Sequence, residues 1–233
     1  GGLLTPLGDP PLFMLYLRGV PFTWFLQLFP EWLFVGIVLL MLYFAVDTFY
    51  YKREHSQAKE MDRLEHRALE LSGKINFLYL VGVVVAVALV NESYIPAMAK
   101  ADASIWMVHL RDIVLLVLTG LSLLTTSKEI RYEKNKFSWM PITEVAILFL
   151  GIFVTMTPVL EYLRVHAASL GLNEIWQFYY TTGTLSSFLD NTPTAVAFHS
   201  VALGLPAEQL ASYGGEIVAG VPSMLLRAIS LGS

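Results

Sequence analysis

Four long apolar runs separated by polar residues constrain this chain more than any other feature. They are residues 31–51 (EWLFVGIVLLMLYFAVDTFYY), 75–90 (INFLYLVGVVVAVALV), 105–126 and 141–162. A helix needs about 20 mostly apolar residues to cross the hydrocarbon core of a bilayer. A soluble core helix can imitate one such run, but four in 233 residues predict an all-α membrane protein with four full transmembrane helices. Composition agrees, with 55% hydrophobic and 15% charged residues. The net charge of −4 gives no reason to expect nucleic acid as a partner. Cysteine is absent, which excludes disulfides, thiolate catalysis and cysteine metal sites.

Lysine and arginine sort the loops. Residues 52–74 carry Lys52, Arg53, Lys59, Arg63, Arg67 and Lys74, and residues 127–139 carry Lys128, Arg131, Lys134 and Lys136. Residues 91–104 carry only Lys100. Short loops rich in Lys and Arg stay on the cytoplasmic side. The two rich loops are therefore expected inside, the poor one outside, and the fourth span should run outward. Within the first loop, residues 56–71 read as a short exposed helix. Arg164 and His166 then fall near the outer surface as interfacial anchors.

The segment after the fourth span departs from this pattern. Residues 175–203 read IWQFYYTTG, then TLSSFLDNTPT, then AVAFHSVAL. Each apolar flank is about ten residues, or ~15 Å as a helix, half of the hydrocarbon thickness. Two half-length helices around a polar tip predict a re-entrant hairpin, entered and left from outside. Irregular backbone at that depth survives only when it is buried in protein or lines a watery cavity. Gly183 and Pro193 are expected to bracket the break, with Thr192 or Asn191 capping the new helix. Ser186, Ser187, Asn191 and Thr194 supply oxygens suited to a hard cation such as Na⁺, and Asp190 adds a carboxylate that can neutralise a cation or carry a proton. The plainer alternative is that these side chains only cap helices at a loop.

The first residues, GGLLTPLGDPPLF, cannot form a continuous helix, yet apolar residues follow at once. They read as the unwound middle of a discontinuous span whose second half starts at Leu12. Thr5 and Asp9 would be its polar side chains, and carbonyls around Gly8 could ligate a cation. A surface loop is the alternative. Residues 20–29, rich in Phe and Trp, read as an aromatic-belt segment at the outer interface. Two interrupted apolar segments point to a secondary transporter with inverted repeats.

Other polar residues weigh less. Glu161 is a candidate proton relay or, more simply, an interfacial carboxylate. Thr155 and Thr157 are expected to re-satisfy backbone freed by Pro158, and His199 is expected to be a packing residue. No GxSxG, HExxH, Walker A or GxGxxG motif occurs, so no enzymatic activity is expected. The start without Met and the end at Ser-Leu-Gly-Ser suggest a piece of a longer protein, lacking its first half and its C-terminal end.

These segments resemble the ion-transporter superfamily that includes sodium:proton antiporters, citrate carriers, arsenite permeases and dicarboxylate/sodium symporters. GGLLTPLGDPP resembles the family's broken fifth span, SSFLDNTPT the tip of its second re-entrant hairpin, and VTMTPVLEYL (residues 154–163) the span before that hairpin. The tip is closest to the antiporter and citrate-carrier-like branch. The resemblance implies an inverted-repeat fold in a bacterial-type cytoplasmic (inner) membrane, with an often dimeric scaffold part and a transport part that moves like an elevator. The whole of 1–233 would be one partial transporter domain. Residues 1–30 would be the second half of a broken span with an interfacial segment, 31–162 four spans, 175–203 the hairpin, and 204–233 the start of a further span. Thr5, Pro6, Gly8 and Asp9 would contribute to a first midplane site, and Ser186, Ser187, Asp190, Asn191 and Thr194 to a second. The implied activity is Na⁺/H⁺ antiport, with Na⁺ and H⁺ as cargo and no cofactor. The alternatives are a cation-coupled carrier of citrate, another organic anion or arsenite, and, from a different class, a non-transporting membrane scaffold.

Overall fold

The structure, a computed structural model, describes residues 4–54, 72–92, 94–100 and 102–233. The helix expected at residues 56–71 lies outside the described residues. In chain order the elements are α1 (Pro10–Leu17), α2 (Phe29–Arg53), α3 (Ile75–Leu89), α4 (Ile105–Val108), α5 (Leu110–Thr125), α6 (Met140–Val165), α7 (Ile175–Ser186), α8 (Asn191–Leu203), α9 (Ala207–Ser212), the two-residue strands β1 (Ile217–Val218) and β2 (Val221–Pro222), and α10 (Ser223–Gly232). The chain is thus mostly helical, as expected, apart from one minimal β-ladder in which Val218 pairs with Val221. Its turn places Ala219 (φ 48°) and Gly220 (φ 84°) in the left-handed region, as a two-residue hairpin loop of the mirror-image kind requires. Two compact units form, one from Pro30–Phe137 and one from Gly1–Phe29 with Ser138–Ser233.

In the unit Pro30–Phe137, α2 buries none of its residues, and Phe34, Leu40 and Phe44 are each about 70% exposed. A helix this apolar with so much of its surface exposed suits lipid, not water. The helical run Phe22–Arg53 is long and apolar enough to cross a membrane. The next two apolar runs form helices shorter than a membrane crossing needs. α3 has 15 residues, and residues 105–126 divide at His109, whose ring Nδ1 lies 3.1 Å from Asp112 Oδ2. The polar group His109, Arg111, Asp112 interrupts what apolarity alone reads as one helix. α3 packs on α5. Asn76 Oδ1 accepts from Ser122 Oγ (2.8 Å) and Thr126 Oγ1 (3.0 Å), and Thr125 Oγ1 donates to Tyr79 OH (3.1 Å). Arg131 folds back to donate to the carbonyls of Leu123 and Thr126, closing the C-terminal end of α5.

In the other unit, α6 is the second helix able to cross a membrane by length and apolarity. Pro158 lies inside it without breaking it. Thr155 donates to Gly151 O (2.8 Å) and Thr157 to Phe153 O (2.8 Å). Each therefore bonds its own preceding turn. The carbonyl freed by Pro158 is that of Val154, four residues back, so the two threonines do not fill the role expected of them. The interior is built from Leu12 and Leu15 of α1, Phe178 of α7, Val196 and Val201 of α8, and Leu225, Leu226 and Ile229 of α10, all nearly or fully buried.

The aromatic segment joins this interior. Residues Phe22–Leu28 form a 3₁₀ helix, with Phe22, Trp24, Phe25 and Leu28 buried. Trp24 Nε1 donates to Ser223 Oγ at 3.0 Å. These rings are core, not the interfacial belt expected from composition. Composition could not distinguish the two, because a Trp needs a hydrogen-bond partner in either place and finds one here on α10.

Candidate functional site

The break before α1 is made by a turn and a cap. Gly8 N–H donates to Thr5 O (3.3 Å), and Asp9 Oδ2 accepts from Leu12 N–H (3.4 Å). Asp9 is the N-cap, and Pro10 and Pro11 occupy the first helical positions, where a missing N–H costs nothing. The helix thus begins at Pro10, two residues before the expected Leu12. Its far end closes with Gly19 at φ 98°, Gly19 N–H on Tyr16 O and Val20 N–H on Leu15 O.

The polar stretch of residues 184–194 contracts to a four-residue tip, 187–190. α7 continues through Gly183 to Ser186. Gly183 is therefore not a break. It faces α10, where a Cβ would lie 3.4 Å from Gly232 O. The N-cap of α8 is Asp190, whose Oδ1 accepts from Thr192 N–H at 3.2 Å. Neither Asn191 nor Thr192 caps, because both are already helical, and Pro193 sits third in the helix. Thr194 Oγ1 donates to Asp190 O (2.9 Å), and Ser187 Oγ donates to Gly183 O (2.8 Å).

Ser186 is the centre of the arrangement. Its Oγ lies 2.7 Å from Asn191 Oδ1 and 3.0 Å from the main-chain oxygen of Ser233 at the end of α10. A hydroxyl carries one proton, so it serves one acceptor at a time. Asn191 and Asp190 are exposed, whereas Thr194 is 3% exposed.

The two interrupted segments meet at one end of a helix pair. α1 packs along α8, and Arg18, the C-cap of α1, donates to Ser200 Oγ near the C-terminal end of α8 (3.0 Å). The helices therefore run in the same direction. Nine residues separate Asp9 from Arg18 and ten separate Asp190 from Ser200. At about 1.5 Å per residue, both capping aspartates and their turns lie at the same end of the pair. The turn of Thr5, Gly8 and Asp9 and the tip of Ser186, Ser187, Asp190, Asn191 and Thr194 thus lie toward one end of the pair, with no hydrogen bond between the two sets among the described residues. Glu161 lies elsewhere. Its helix meets the opposite end of α8, where Gly204 touches the Arg164 carbonyl. Among the described residues, no group of three or more His, Asp or Glu side chains could hold a metal ion. Any ion at the tip would rest on hydroxyl, amide and main-chain oxygens.

Two contributors are not evident in the apolar pattern. Ser233 enters through its backbone, which no motif encodes. Arg18 had a signal: it is the sole charged residue between Asp9 and Glu31, and a lone charge among apolar neighbours marks a function or a partner.

A family model described as "Putative citrate transport" matches residues 1–233. The chain belongs to this family. No curated protein and no solved structure matches it. Membership of a citrate-transport family, together with α2 and α6, makes this a membrane protein of a transporter family. It agrees with the resemblance at the level of the superfamily.

Proposed function

We propose that this member of the citrate-transport family is the part of a secondary transporter that carries citrate, or an organic anion of its class, together with a cation held at the hairpin tip. The observation that carries this is the gathering of oxygens at the tip: Ser186 Oγ lies 2.7 Å from Asn191 Oδ1, and the exposed Asp190 carboxylate caps the same helix through Thr192 N–H. Oxygens of this kind, one of them charged, suit a hard cation. Asp9 at the same end adds a second negative charge. Asp190 already occupies the N-terminus of α8, so that helix end is not free for an anion and the anion needs the cation beside it.

In this reading α7 and α8, of 12 and 13 residues, enter the bilayer and turn back at depth, since ~18–20 Å is too short to cross. The protein is multi-pass in a cytoplasmic membrane of bacterial type and dimerises through its scaffold part.

The second reading is Na⁺/H⁺ antiport, with Asp190 alternating between proton and cation. It is favoured by the exposure of that carboxylate and by its single hydrogen bond to the backbone.

Proteoliposome uptake separates the two. Labelled citrate should enter only with an inward cation gradient, and Asp190→Asn should abolish the cation dependence. Cation-driven proton movement without citrate uptake favours the antiporter. If the wild type does neither, the scaffold alternative takes over.

A further inference from the structure

The opposite end of the α1/α8 pair holds a cation. Arg18 is half-buried, and among the described residues its side chain makes one hydrogen bond, to the Ser200 hydroxyl at 3.0 Å. Among the described residues, no carboxylate lies within ion-pair distance of it. Asp9, at the other end of its own helix, is about 13 Å away by helical rise. Capping does not account for the guanidinium either. The carbonyls of Leu15 and Tyr16 are taken by the N–H groups of Val20 and Gly19, and that of Met14 by the Arg18 backbone N–H. The side chain is thus surplus to the helix end.

His199 precedes Ser200 on α8 and is 0% exposed; neither ring nitrogen makes a hydrogen bond of normal geometry, and the Ala219 main chain is the polar group that faces the ring. A partly buried charge without a counter-charge is costly. Gly19, next to Arg18, is exposed, and nothing lies within 4 Å of where its Cβ would point, so the chain beside Arg18 borders open space.

We infer that Arg18, with Ser200, binds an oxyanion, a carboxylate or phosphate group, at the end of the α1/α8 pair remote from the hairpin tip. Arg18 supplies guanidinium N–H donors left over after its bond to Ser200, which holds it in place. Two sources supply this chemistry, a soluble anion and an anionic lipid headgroup. The inference does not rest on the transported substrate.

The test uses the full chain in phosphatidylcholine nanodiscs, with inorganic phosphate as the probe at constant ionic strength. The wild type should gain thermal stability saturably. In Arg18→Gln the half-saturating phosphate concentration should rise about tenfold or more, and in Ser200→Ala, which loses the hydroxyl that holds the guanidinium, about threefold. Lys100→Gln, which removes an exposed cation elsewhere, should respond as the wild type does. If Arg18→Gln does not fold, Arg18→Lys decides: it should keep the response with affinity weakened a few-fold, because it loses the fork geometry. Replacing about a third of the lipid with phosphatidylglycerol identifies the source. Stabilisation of the wild type that blunts the phosphate response assigns the site to a headgroup, and an undiminished phosphate response assigns it to a soluble anion. An Arg18→Gln or Arg18→Lys chain equal to the wild type, or a wild type that responds to neither phosphate nor phosphatidylglycerol, overturns the inference. Citrate uptake plays no part in this readout, so failure here and failure of the transport reading are told apart.

Discussion

Gly204 and the carbonyl of Arg164 occupy adjoining space with no room for a side chain: a Cβ on Gly204 would overlap that carbonyl and lie 2.9 Å from Ala167 Cβ. The crossing of α6 over α8 therefore depends on a hydrogen atom at position 204. Gly204→Ala should destabilise the unit by about 1–3 kcal/mol, as overpacking does. Thermal unfolding in detergent would read this as a clear fall in midpoint.

The contact of α7 with α10 makes a graded prediction. A Cβ on Gly232 would lie 2.6 Å from Tyr179 O, whereas one on Gly183 would meet only ordinary contact at 3.4 Å. Gly232→Ala should cost about 1–3 kcal/mol. Gly183→Ala should cost little, because alanine regains up to about 1 kcal/mol of helix propensity. Equal losses from the two would show that α10 does not pack on α7 in this way.

Asp190 has two duties that substitution can separate. Asn keeps the N-cap and loses the charge, whereas Ala loses both. Asp190→Ala should be less stable than Asp190→Asn by about 1 kcal/mol. Both should lose cation-dependent stabilisation by Na⁺ titration. Retention of that stabilisation in Asp190→Asn would place the cation elsewhere.

Asn76 joins α3 to α5 through two hydroxyl donors, Ser122 and Thr126. Asn76→Leu should destabilise that pair by roughly 0.6–2 kcal/mol, the range for polar contacts between membrane helices. A double-mutant cycle with Ser122→Ala should show coupling, and additive losses would exclude a shared contact.

The parts legible in sequence were those set by one-dimensional quantities. Length and apolarity predict α2 and α6, and the alternation of apolar flank and polar tip predicts two short helices at residues 175–203. Proline and glycine mark the break before α1. The remainder depends on neighbours distant in the chain. Gly183 reads as a break by itself, yet it is a contact surface because Gly232 lies opposite. Trp24 and Phe25 read as an interfacial belt, yet α10 offers them a core and a hydroxyl. Asp190 caps α8 instead of Asn191 because the helix starts earlier than Pro193 suggests. At the site, residue types were readable but their grouping was not: only the parallel run of α1 and α8 brings Asp9 and Asp190 to the same end.

The oxygen that Ser233 presents to Ser186 belongs to the backbone, and this limits what mutation can reach. Every amino acid at position 233 carries the same atom, so a side-chain scan will pass over it without effect. Only a change in the pitch or placement of α10, such as bulk at Gly232 would force, can withdraw that oxygen from Ser186. Inactive variants should therefore cluster along the flank of α10 and not at the residue that makes the contact.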